Sequence, residues 1–145
     1  MPVRYQEKII TLWAVFLLGT LFHTQLGLMP LFHGQDVAIS HAQGTRDIAW
    51  IFWLMLVFFA IPMIAMIATL FTASKPYRKL HFGMTCIFSL LNFFHVVADL
   101  RVQPIVWYQI VLMVLLFLIG LLLNGVSWQW MQERTQSKLW ERANS

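Results

Sequence analysis

Two of the five histidines in this chain, His23 and His95, stand well inside long apolar spans. Ionisable and strongly polar side chains in such surroundings are expensive to bury, and a functional role is the default reading for them. His23 is flanked at i−4 and i+4 by Gly19 and Gly27. On a helix these three positions share one face, so no side chain lies above or below the imidazole. The same small-xxx-small spacing also serves close helix packing. His95 shares a helix face with Asn92 and with Asp99, whose carboxylate could orient the imidazole as outer partners of ligating histidines do. Counted from the starts of their spans, His23 and His95 both lie about 21 Å in, at about 1.5 Å per helical residue. Matched depth on two helices suits a haem b held between two imidazoles, with Gly19 and Gly27 giving room for the macrocycle and Asp99 behind His95. A bare copper or zinc ion is the alternative, with His23, His95 and Asp99 as ligands and His33, Asp36 and His41 as further donors from a loop. Met29 would add a soft donor for Cu(I). Against both stands a plain reading, in which each histidine hydrogen-bonds a neighbouring helix.

His81 precedes His95 by fourteen residues and so falls on nearly the same face. That spacing resembles one helix of the two-haem b-type cytochromes. The resemblance covers these residues alone; a second haem would need a partner near Ile9, where no histidine stands. His81 is therefore expected at the membrane interface. The single cysteine, Cys86, can form no intrachain disulfide and reads as a small buried hydrophobe. Motifs for nucleophilic triads, phosphate-binding loops and covalent haem attachment are missing. The eight methionines read as packing filler rather than a copper relay.

These residues need elements to position them, and charge spacing defines those elements. No Asp, Glu, Lys or Arg occurs between Lys8 and Asp36, Asp47 and Lys75, Lys79 and Asp99, or Arg101 and Glu133. Charged residues make up 11% of the chain, against roughly 25% in a soluble domain. A bilayer core about 30 Å thick takes about 20 helical residues to cross. The spans expected are 9–29, 49–72, 80–100 and 105–130, with an outer loop at 30–48 and a tail at 131–145. Helices are required because an open sheet would leave backbone groups without partners in lipid, and the even set of alternating strands needed for a barrel is absent. The fold expected is an all-α, up-down four-helix bundle in one domain, with the first and third helices diagonal across its centre. The first span is too long for a signal peptide and reads as a retained helix. Pro62 should kink the second helix without further consequence.

The net charge of +4 reflects basic residues flanking the spans, so a nucleic-acid partner is excluded as its explanation. Arg4, Lys8, Lys75, Arg78, Lys79, Arg134, Lys138 and Arg142 fall on one side, while only Arg46 and Arg101 fall on the other. By the positive-inside rule both termini are cytoplasmic. Trp50, Trp53, Trp107 and Tyr108 should mark the outer interface, and Tyr77, Trp128 and Trp130 the inner one. The aliphatic fourth span, 110–123, should face lipid or another subunit. Leu139 and Trp140 suggest a tail with an apolar stripe. The function expected is a small membrane subunit, in a bacterial cytoplasmic membrane, with a histidine site near the outer face. It would bind haem b, or copper or zinc, and exchange electrons with an outer or quinone partner. The alternative is a non-catalytic accessory or assembly subunit of a larger membrane complex, or of a homo-oligomer.

Overall fold

The computed structural model describes residues 4–36 and 45–143, and the side chains of 4–36 and 48–133. The described part is entirely helical: α1 is Tyr5–Leu28, followed by a 3-10 turn at Met29–His33, then α2 at Thr45–Phe71, α3 at Lys75–Asp99 and α4 at Trp107–Ala143. All four long helices are long and apolar enough to cross a membrane. Pro30 opens the 3-10 turn, and Gly34 closes it in the left-handed conformation at φ 71°.

One boundary differs from the sequence expectation for a physical reason. Hydropathy places the start of the third helix near residue 80, but the helix begins at Lys75, behind Ser74 as N-cap and with Pro76 in its first turn. Ser and Pro at those positions are helix-start signals that hydropathy does not register. The segment 75–79 is therefore helix rather than connection. At the other end, α4 continues past 130 to Ala143 without interruption, as a tail that stays helical beyond its span requires.

α4 packs along both α1 and α3, whereas the packing of α2 falls mainly on α1. The expectation that the fourth helix faces lipid or a subunit holds for one face only, where Val111, Leu115, Leu118 and Leu122 are exposed. Its Ile110, Met113, Leu116, Leu123 and Trp130 are buried, spaced so that they return to one face. Small residues admit the close approach, as is usual between membrane helices. A side chain at Gly19 would run into Leu116, and a Cβ at Gly120 would lie 2.9 Å from Ser89 Oγ. Trp130 is a core residue at 1% exposure and not an interfacial anchor. Trp50, Trp53, Trp107 and Tyr108 are exposed.

α3 has its polar side inward. Arg78, His81, Thr85, Ser89 and Asn92 are buried along one stripe, while Leu80, Ile87, Leu90 and Phe94 are exposed. Phe88 joins Trp13 and Phe58 in the aromatic part of the core, with ring centroids 5.2 and 5.0 Å away. Such a stripe is the expected arrangement where the surroundings are apolar, since polar groups then find partners only inside the bundle.

Candidate functional site

α1 and α3 meet through side chains at two levels. Near the end of both helices, His23 Nε2 and His95 Nε2 lie 3.4 Å apart. Asp99 Oδ2 is 3.6 Å from His23 Nε2 and 3.5 Å from His95 Nε2. His95 and Asp99 are one helical turn apart, which puts both on the face towards α1. The two rings meet edge to face, with centroids 5.3 Å apart. The side chains are 11%, 52% and 22% exposed for His23, His95 and Asp99.

The three donor atoms thus form a nearly equilateral triangle. Its sides are long for hydrogen bonds, which centre at about 2.7–3.0 Å. Among the described residues, Asp99 Oδ2 and His23 Nδ1 are both buried without a hydrogen-bond partner. Ligands about 2.0–2.1 Å from a tetrahedral ion lie about 3.4 Å from each other. The triangle has that spacing, and among the described residues this is the group of three or more His, Cys, Asp or Glu side chains able to hold a metal ion.

The other expected site residues lie elsewhere. Gly19 and Gly27 face α4: the neighbours of an added Cβ are Leu116 at Gly19 and Gln109 at Gly27. At Gly19 the missing side chain makes room for α4, while at Gly27 a Cβ would only touch Gln109 at 3.6 Å. His33 and Asp36 are exposed and stand outside the triangle. His41 lies outside the described residues.

Between α1, α2 and α3, with Met113 of α4 behind, is a cavity of about 360 Å³ beside the triangle. His23, His95 and Asn92 form its polar wall, and Leu54, Met55, Phe58, Phe59, Leu91 and Met113 line the rest together with Thr20 and Thr24. Both threonine hydroxyls donate to their own helix, to the carbonyls of Phe16 and Leu21.

Nearer the start of α1 and α3 is a second polar cluster that the sequence reading missed. His81, expected at the interface, is 1% exposed. Trp13 Nε1–H donates to His81 Nε2 at 3.1 Å, and Ser127 Oγ lies 3.3 Å from His81 Nδ1. The indole can only donate, so Nε2 is the acceptor, and the ring proton sits on Nδ1, directed at Ser127. Trp13, Tyr77 and Trp130 surround the ring, with centroids 6.3, 6.0 and 5.9 Å away. Arg78 is buried one turn earlier. Its guanidinium donates to the carbonyls of Trp130 at 2.6 Å and Ala73 at 3.0 Å and to Glu133 at 3.2 Å. The signal was present as spacing: residues 78, 81, 85, 89 and 92 recur at three and four.

Compared with family models, curated proteins and solved structures, the chain has no match.

Proposed function

We propose that this is an integral membrane protein in which His23, His95 and Asp99 hold one zinc or copper ion. The observation that carries the reading is the triangle of donor atoms, with sides of 3.4, 3.5 and 3.6 Å. Three protein ligands leave a fourth tetrahedral position open, as in sites where the metal takes water or an outside molecule. Two imidazoles and a carboxylate suit zinc or Cu(II).

A bare ion fits this geometry better than haem b. Haem iron between two imidazoles would set the nitrogens about 4 Å apart with a flat ring between them. Here Asp99 Oδ2 stands close to both nitrogens, where that ring would pass. Gly19 is also taken up by Leu116 of α4.

The helices cross up and down, with both termini on the cytoplasmic side and the metal near the outer face. The uneven distribution of basic residues supports this orientation, and setting aside Arg78, which is tied into the core, leaves the bias in place. With Cys86 replaced by Ala, cysteines introduced at Ser145 and Gln43 should react from opposite sides of sealed vesicles. Labelling of both from one side would refute the orientation.

The accessory-subunit reading has α2 in its favour, since Trp50, Phe52, Trp53 and Leu54 leave a broad apolar flank exposed. The metal reading is tested on purified protein in nanodiscs, dialysed against zinc or copper and assayed by mass spectrometry. One ion per chain is expected, with almost none after His23→Ala or His95→Ala. Equal metal content in wild type and both variants sinks the proposal. A sharp Soret band in the purified protein would put haem in place of the ion.

A further inference from the structure

We propose that the ion's fourth coordination position is filled from the membrane, by the carboxylate of a single-chain fatty acid whose tail lies in the cavity beside the triangle. The inference rests on the metal reading and names the ligand of that same site. Charge gives the head group. Imidazoles bind metal in their neutral form, and Asp99 is the one carboxylate of the group, so a divalent ion would keep one uncompensated positive charge. Such a charge is costly in apolar surroundings, and a fourth ligand with one negative charge removes it. Carboxylate oxygen is an ordinary ligand for zinc and is accepted by Cu(II). A fatty acid that arrives protonated releases its proton on binding, and one carboxylate oxygen forms the bond to the ion.

The cavity gives the tail. His95, the most open of the three ligands at 52% exposure, is one of its wall residues, as is His23, while Asp99 is not. The triangle stands near the ends of α1 and α3, with Asp99 the last residue of α3. From there the cavity continues towards mid-helix: Thr20 and Leu91 lie one turn, about 6 Å, further in than Thr24 and His95. Phe58 reaches deeper, to Phe88, with ring centroids 5.0 Å apart. A fatty acid in one leaflet has this same orientation, its head near the membrane surface and its tail towards the centre. Both threonine hydroxyls donate to their own helix, so an alkyl chain beside them leaves no donor unpaired. Apolar cavities stay dry, which disfavours hydroxide as the neutralising ligand on this side. The volume of about 360 Å³ is at the lower end of small-molecule sites, about 300–1,000 Å³, and suits one chain rather than two. Leu54, Met55 and Leu91 of the wall are also exposed, so the rim reaches the surface that apolar helices offer to lipid.

The test uses the full chain in nanodiscs, loaded with Co(II) in place of zinc. The visible bands of cobalt respond to a change in its ligands and are blind to fatty acid that is merely dissolved in the lipid. Decanoate, decanol and decylamine are titrated at equal amounts per disc, with cobalt content measured in the same discs. Decanoate should shift the bands and saturate at one per chain. Decanol, which is neutral, and decylamine, which is protonated at neutral pH, should leave them unchanged. Leu91→Trp and Met55→Trp, which fill the cavity, should each lose the decanoate response while keeping one cobalt per chain. Retained cobalt shows that a variant has kept its ligands, and the comparison of probes on wild type holds even if neither variant folds. If decanoate leaves the wild-type bands unchanged, the fourth position is not open to the membrane, and this inference fails while the metal reading stands. Shifts from decanol or decylamine as large as those from decanoate overturn the carboxylate. A decanoate response that survives in both cobalt-loaded variants puts the tail outside the cavity and overturns the inference as well. Absence of bound cobalt overturns the metal reading, and this inference with it.

Discussion

The same two helices build both histidine clusters, and the clusters are opposite in character. At His81 the imbedded polar atoms meet donors and acceptors at hydrogen-bonding distance, and the ring is fully enclosed. At His23 and His95 the donor atoms stand 3.4–3.6 Å apart, His95 is half exposed, and His23 Nδ1 and Asp99 Oδ2 lack hydrogen-bond partners. Buried polar groups in apolar surroundings are ordinarily paired, and those left over call for an explanation. The His81 cluster is explained by the fold, since it ties α1, α3 and α4 together. The His23 cluster joins α1 and α3 only by contacts of 3.4–3.6 Å, and that looseness is what the proposed metal site starts from. A histidine in a membrane helix is therefore not informative by itself; whether its partners are already present is.

The comparison breaks most directly at His81. His81→Ala should leave the Trp13 indole N–H and the Ser127 hydroxyl unpaired and open a cavity among three aromatic rings. The expected loss is roughly 3–5 kcal/mol of stability in detergent, combining cavity and unpaired-group effects. Zinc binding in the protein that remains folded should be unchanged. A stability loss under about 1 kcal/mol would mean that the cluster does not hold the bundle, since one net hydrogen bond alone is worth about that much.

The four apolar helices were legible in the sequence because charge is excluded from each span. The meeting of His23, His95 and Asp99 was legible because helical rise fixes depth and an i, i+4 pair fixes a face. Which face each helix turns inward was not. Lipid tails and the α4 core are equally apolar, so hydropathy could not tell that Met113, Leu116 and Leu123 point inward. The small and polar positions held that information: Gly19 against Leu116, Gly120 against Ser89, and the stripe from Arg78 to Asn92. Gly19 and Gly27 could be read as cofactor space or as packing space from their spacing alone. The cavity at Asn92 depends on four helices together and had no signature in any one of them.

A smaller effect separates the roles of Gly19 and the triangle. Gly19→Leu should force the buried Leu116 side chain to move, destabilising the α1–α4 contact by about 1–3 kcal/mol. Zinc stoichiometry should stay at one per chain, because Gly19 lies against α4 and not beside the ligands. Loss of zinc from a variant that keeps its helical circular dichroism would return Gly19 to the site.

The smallest expected change is the most discriminating. Asp99→Asn removes the carboxylate that lies 3.5 and 3.6 Å from the two imidazoles. If the group is a structural ion pair, like a buried salt bridge losing one partner, stability should fall by about 3–5 kcal/mol. If it is a ligand set, there is no hydrogen bond at Asp99 Oδ2 to lose. Removing a charge from a membrane-spanning helix is then neutral or slightly favourable, so metal-free stability should change by no more than about 0.5 kcal/mol. The variant should differ from wild type only once zinc is added. Wild type gains stability in proportion to the logarithm of zinc concentration above its dissociation constant. Asp99→Asn should need at least about tenfold more zinc for the same gain, since a neutral amide oxygen is a poorer zinc ligand than a carboxylate. Thermal unfolding in detergent, with chelator and across a zinc series, reads both quantities in one experiment. A large loss with chelator and no zinc dependence would make the His23 cluster a second copy of the His81 cluster, and the accessory-subunit reading would then stand in place of the metal site.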